Sequence, residues 1–229
     1  MYHQVLSFAW LPAAWDQLLA GAALTMTLTL QAIFFGTLIA IAGAWARTSG
    51  PKWLGWVFGA YVEVIRNTPF LAQLYFFFFG LPALRIFLTP DQAALLAMVV
   101  NLGAYATEVI RAGVEAIPHG QTEAGAALGL HPVQVFGLII LVPALRVVYP
   151  PLAAQYTMIL LGSSLTAAIA ANELTSVANS LASLNYRTFE TYLVVTGMYL
   201  VMVFVFRGVF ALFYNLVLRG DRHERMRLL

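Results

Sequence analysis

Of 229 residues, 61% are hydrophobic and only 10% charged, with a mean hydropathy of +0.82; soluble domains are about 45–50% apolar and about 25% charged, so a soluble globular domain is excluded. The absence of cysteine excludes a disulfide framework and a thiolate metal site. A net charge of +2 fits basic residues that set membrane topology better than a nucleic-acid-binding surface.

A hydrocarbon core of about 30 Å needs roughly 20 helical residues. That length predicts an all-α integral membrane protein with about five spans: Leu18–Trp45, Trp53–Gly80, Ala93–Ile117, Pro150–Ala171 and Phe189–Leu218. The opening residues have neither a basic n-region nor a cleavage site, so the first span is expected to act as its own targeting signal. Val133–Val148 is apolar, but Pro143 and Arg146 suggest an interfacial helix leading into the fourth span.

Arg47, Lys52, Arg111, Arg146 and the tail arginines Arg219, Arg222, Arg225 and Arg227 fall on one side if the N-terminus is outside. Only Arg85 and Arg187 fall on the other, which makes the C-terminus and the 118–135 connection cytoplasmic. His3, His119, His131 and His223 all lie outside the spans, which argues against haem ligation in the bilayer.

In the second span, Glu63 and Arg66 stand about 16–21 Å inward from Lys52, three apart on one helix face. Asn67-Thr68-Pro69 follows, and proline frees a carbonyl one turn earlier. A broken helix near the midplane is a common transporter binding site; there Arg66 suits a carboxylate and Glu63 an ammonium. The alternative is that the pair neutralise each other or brace a helix contact. Asn101 reaches a similar depth on the third span, as a ligand or as a helix fastener, and Glu108 lies nearer the cytoplasmic face. Gln73 and Phe76–Phe79 read as lipid-facing or packing residues, Tyr105 as an interface anchor, and Glu173 as either a pathway or an external loop residue.

Between the third and fourth spans stands "GQTEAGAALGLHP", Gly120–Pro132. Gln121–Leu128 is a good short helix with Glu123 in its first turn. Gly129 suits the left-handed position past its end, Leu130 follows as a hydrophobic residue, and Pro132 restarts the chain. Ala124, Ala127 and Leu128 form one flat face, suited to lie on the membrane or to enter a groove on a soluble partner.

The run "EAGAALGLHPVQVF" resembles the EAA motif of ABC-importer permease subunits. "YVEVIRNTPFLAQLYFFFFGLP", "NLGAYATEVIRAGVEAIPHGQ" and "PALRVVYPPL" extend the resemblance over most of the chain, to the polar amino acid permeases. Asn67 stands where that family usually has glycine, and Leu161-Gly162-Ser163-Ser164-Leu165 stands where it often has Lys-Asp-Thr-Ser-Leu. The resemblance implies a type I importer permease fold in a bacterial cytoplasmic membrane. It also implies that 118–135 is a coupling segment docking on an ATPase through Gln121, Glu123, Ala124, Ala127 and Gly129. Ser163, Ser164 and Thr166 would lie near the pathway, with helix capping as their other reading.

No GxxxxGK[ST] loop is present, so the chain is not expected to be its own ATPase by that route. The implied partners are a second permease subunit, identical or not, two ATPase subunits carrying ATP and magnesium, and a soluble or lipid-anchored amino-acid-binding protein. The chain itself is expected to bind no cofactor. An ion-coupled secondary transporter is the alternative, though no internal repeat is found. A purely structural anchor or an electron-transfer subunit fits less well.

Overall fold

The structure, a computed structural model, describes residues 6–218; among them every regular element is helical. His3, His223 and the arginines at 219, 222, 225 and 227 lie outside the described residues.

Helix α1, Leu11–Thr48, has 38 residues and is about 57 Å long. It overruns the predicted first span at both ends, starting at once because proline occupies its first turn. Its inward face is built from small residues: Gly21, Thr25, Ala32, Gly36, Ala40 and Gly43. A β-carbon on Gly36 would stand 3.1 Å from Leu102, and one on Gly43 2.7 Å from the Thr107 hydroxyl. Backbone thus packs close to backbone against α4, Pro90–Glu115, the usual way helices associate where lipid gives no hydrophobic drive. The hydroxyls buried in that seam bond back into their own helices, Thr29 to Thr25 O at 2.7 Å and Thr107 to Gly103 O at 2.7 Å. These threonines thereby satisfy their hydroxyls without drawing on a neighbouring helix.

The second predicted span is two helices. α2 covers Lys52–Arg66, and α3 covers Phe70–Leu84 after a break at 67–69. Each is too short to cross alone; among the described residues four helices are long and apolar enough to do so by themselves: α1, α4, Pro132–Ile169 (α6) and Thr188–Leu216 (α8). Between α4 and α6 lies the short α5, His119–Ala127, and between α6 and α8 lies α7, Leu174–Asn185.

The interfacial lead-in expected at Val133–Val148 is instead the first half of α6, continuous with the segment expected to begin at Pro150. Pro150 and Pro151 sit inside the helix. They remove two backbone donors, yet the helix continues through them, with Phe136, Ile140, Ala144 and Val148 buried before the pair. Gly113 makes this possible: a β-carbon there would be 2.6 Å from Val148 and 2.9 Å from the Ala144 carbonyl oxygen.

The main core joins α1, α4 and α6 through Ala32, Ala40, Met98, Leu102, Ile110 and Leu160. A second cluster, including Leu18, Leu174, Ala178 and Val195, fastens α7 and α8 to the start of α1. Glu173, fully buried, caps α7: its carboxylate accepts from Thr175 N at 2.9 Å, Ser176 N at 2.8 Å and the Tyr199 hydroxyl at 2.8 Å. It lies in the short turn between α6 and α7, with its side chain buried there rather than exposed.

Burial pushes the Glu173 carboxyl above its usual range, against the opposing hydrogen bonds from Thr175, Tyr199 and Ser176. The ionised form is therefore the costly one in the fold, and thermal stability should fall as pH rises through that raised value. Glu173→Gln is expected to flatten this dependence, and Glu173→Ala to cost about 1–2 kcal/mol through the lost cap. Thermal unfolding in detergent from acid to neutral pH checks both; equal slopes in wild type and Glu173→Gln would refute the assignment.

Candidate functional site

α2 ends because Pro69 cannot donate to the Ile65 carbonyl, one turn back. Gln73 fills that vacancy. Its amide nitrogen donates to Ile65 O at 2.8 Å, Thr68 O at 3.1 Å and the Thr68 hydroxyl at 2.9 Å. Its amide oxygen accepts from Asn101 Nδ2 at 2.9 Å. Gln73, expected to face lipid or pack, is 6% exposed and stitches the break to α4. The signal was in the spacing: an amide one turn after a proline break can replace the donor that proline lacks.

Beside the break lies a cavity of about 330 Å³ lined by Thr68, Pro69, Asn101, Tyr105, Gln155 and Met158, among others. That is near the lower end of small-molecule sites, about 300–1,000 Å³. It sits near the middle of α4, since Asn101 and Tyr105 fall midway along Pro90–Glu115. Of the residues expected to form a pathway, the structure brings Thr68 and Asn101 here. Ser163 and Ser164 are not among the lining residues; their hydroxyls donate to Leu160 O and Leu161 O, each at 2.7 Å, within their own helix.

Glu63 and Arg66 are both exposed and do not neutralise each other. Glu63 accepts from Asn67 Nδ2 at 3.1 Å. Arg66 turns towards α4: its guanidinium lies 5.5 Å from the Tyr105 ring centre and 3.9 Å from Glu108, while the Tyr105 hydroxyl donates to Arg66 O at 3.3 Å. The i,i+3 spacing places both on one side of α2, but each finds a nearer partner than the other.

Glu108 is the centre of charge. Its carboxylate, 17% exposed, takes Arg47 from α1, Arg66 from the end of α2, and Arg111 at 2.9 Å from its own helix. Arg111 also pairs with Glu115. Three guanidiniums thus share Glu108 and Glu115, with the Glu63 carboxylate also within electrostatic range of Arg47. Reading depth alone left Glu108 without a role, because its partners come from three different helices.

Seven residues below Glu108 the chain leaves α4 and enters the elbow. Pro118 sits at the N-cap of α5, which begins at His119. The helix starts earlier than Gln121, so Glu123 lies in its second turn rather than the first, where the end dipole has faded. At the other end Gly129 takes φ +76°. Gly129 N donates to Ala126 O at 2.9 Å and Leu130 N to Gly125 O at 3.2 Å, the paired bonds of a Schellman motif. Gln121, Glu123, Ala124, Ala127 and Leu128 are all exposed, Leu128 by 78%. Gly125 alone in this helix is buried: a β-carbon there would stand 2.8 Å from Ile139 and 3.0 Å from Val135. The elbow is thus seated on α6 through a glycine and presents its alanine face outward.

Residues 32–219 match the family described as binding-protein-dependent transport system inner membrane component. The chain belongs to that family. It is 37% identical over 171 residues to the L-cystine transport system permease TcyB of Bacillus subtilis, covering 75% of this chain and 73% of that one. It is 34% identical over 196 residues to the glutamine transport system permease GlnP of Escherichia coli, covering 82% and 87%. Its fold is similar to a crystal structure of an amino acid ABC transporter with histidines, with TM-score 0.81, 30% identity, and 93% of this chain and 99% of that one covered. The chain is therefore an inner-membrane component of a binding-protein-dependent transport system, and its helices form the ABC-importer permease fold.

Proposed function

We propose that this chain is the permease subunit of an ATP-driven importer for polar or charged L-amino acids. The elbow carries that reading. A transporter driven by an ion gradient has no use for an exposed, rigid face of Ala124, Ala127 and Leu128 held by a glycine seat and a glycine stop. Such a face suits close docking on a second protein. The amino-acid class is supported by relatives named for cystine and glutamine transport and by a small polar cavity at a helix break. Thr68 and Asn101 contribute to it directly, and Arg66 stands against its lining residue Tyr105.

In this reading the elbow faces the cytoplasm and two such subunits, identical or not, engage two ATPase subunits that hold ATP and magnesium. A binding protein delivers substrate from the other side. Hydrolysis takes place on the partners; this chain converts their closure into helix movement, and it catalyses nothing itself.

Co-purification of the tagged chain from its own cells, followed by ATPase assay against a panel of amino acids, tests the proposal. Capture of a nucleotide-binding subunit and hydrolysis stimulated severalfold by a polar amino acid with its binding protein is the expected result. Uptake that survives deletion of the ATPase yet stops with an uncoupler would assign the chain to ion-coupled transport instead.

A further inference from the structure

α8 carries an arginine at hydrocarbon depth. Arg207 lies about 28 Å along from Thr188 and about 14 Å short of Leu216. Its side chain is exposed, and among the described residues no carboxylate or other acceptor pairs with it. A bare guanidinium at that depth is costly, and intramembrane cations are characteristically matched by an anion or a polar pathway.

Arg207 opens onto a groove of about 630 Å³ between α6 and α8, lined also by Tyr149, Thr157, Met158 and Tyr214. The Tyr149 hydroxyl donates to the Phe210 carbonyl and the Thr157 hydroxyl donates to Ala153 O at 3.0 Å. Both oxygens keep lone pairs for an ammonium group. Met158 lines this groove and the cavity at the helix break alike. One side of α6 therefore joins the two hollows, one with amides and hydroxyls, the other with an unmatched cation and two oxygen acceptors.

We propose that Arg207 is a binding residue for the α-carboxylate of the transported amino acid, at a second station beside the cavity at the helix break. The inference rests on the amino-acid reading above. A zwitterion matches the groove in both signs: its carboxylate meets the fork of Arg207, and its ammonium meets the oxygens of Tyr149 and Thr157. A phospholipid phosphate matches only the first.

The test is direct binding, without binding protein, to the complete permease–ATPase complex in phosphatidylcholine nanodiscs. L-glutamine, L-cystine, L-histidine and L-arginine are each compared with the carboxamide that lacks the carboxylate. Wild type should favour the acid by about tenfold or more; Arg207→Lys should lower that ratio about threefold, having lost the bidentate fork, and Arg207→Gln should abolish it. Acid and carboxamide bound equally by wild type, or a ratio unchanged in both variants, overturns the proposal. So does an effect of Arg207→Gln that appears only when phosphatidylglycerol is added, which would name lipid phosphate as the occupant. Should Arg207→Gln fail to assemble, wild type against Arg207→Lys decides the matter. A wild-type complex that hydrolyses ATP but binds no amino acid removes the substrate reading itself, and this ligand with it.

Discussion

Replacing Glu108 by glutamine is expected to reduce coupled uptake about tenfold or more, well beyond its effect on folding. The carboxylate is shared by guanidiniums from α1, α2 and α4, and Arg66 is the last residue of α2 before the break. Glu108 also lies one turn above Arg111, which pairs with Glu115 at the end of α4, three residues before the elbow begins. Displacement of the elbow therefore has a charged route to the break: along α4 to Glu108, then across to Arg66. With the charge removed, three arginines are left with Glu115 and the exposed Glu63 near Arg47. Losing one partner of a fully buried pair costs about 3–5 kcal/mol; these guanidiniums keep some water, so a stability loss of about 2 kcal/mol is expected. A merely structural residue would lower yield and melting temperature and leave transported solute per ATP unchanged. A linking residue lowers that ratio. The decisive measurement is a double-mutant cycle in reconstituted vesicles: Arg66→Gln and Glu108→Gln should each lower the ratio, and the double variant should lose little more than either. Independent, multiplying losses would mean the route does not exist.

What the sequence discloses and what it hides divide along the range of the interactions. Most of the elbow was legible because its signals are local: alanines favour the helix, Gly129 stops it in the left-handed region, and Pro132 starts the next, although the helix begins at His119 rather than Gln121. The break was legible for the same reason, since proline acts on its own preceding turn. Glu108 was not, because nothing along the chain says that Arg47 and Arg66 converge on it from other helices. Arg207 was passed over because a lone arginine in an apolar run gives no hint of which way it faces. The misread start of α6 has a different cause. Pro143 and Arg146 are local reasons to keep a segment at the interface, yet close packing against Gly113 and burial of four apolar side chains make it one helix that runs on through Pro150 and Pro151. Ser163 and Ser164 show the reverse, polar residues that look available but bond back to their own turn.

Gly125→Val is expected to release the ATPase from the complex, whereas Gly125→Ala is tolerated. The nearest atoms to an added β-carbon are the end of the Ile139 side chain and the methyls of Val135, at 2.8 and 3.0 Å. Ile139 can rotate its tip away, and alanine gains about 1 kcal/mol of helix propensity over glycine, so the two effects roughly cancel. Valine adds two further methyls in a fixed rotamer, against neighbours on both sides, and overpacking of that kind costs about 1–3 kcal/mol. The cheapest relief is to lift α5 off α6, which tilts the Ala124–Ala127–Leu128 face away from its docking angle. Gly129 supplies the contrast. Nothing lies within 4 Å of a β-carbon there, but φ is +76°, so the obstacle is backbone strain of about 1–2 kcal/mol for alanine and less for asparagine. Gly129→Asn should therefore keep the ATPase bound, and Gly129→Ala should weaken it only partly. Pull-down of the ATPase with each variant, alongside substrate-stimulated hydrolysis, reads the order directly. If Gly125→Val held the ATPase as firmly as Gly125→Ala, the elbow's seat on α6 would have no part in docking, and the alanine face would be only a surface of the loop.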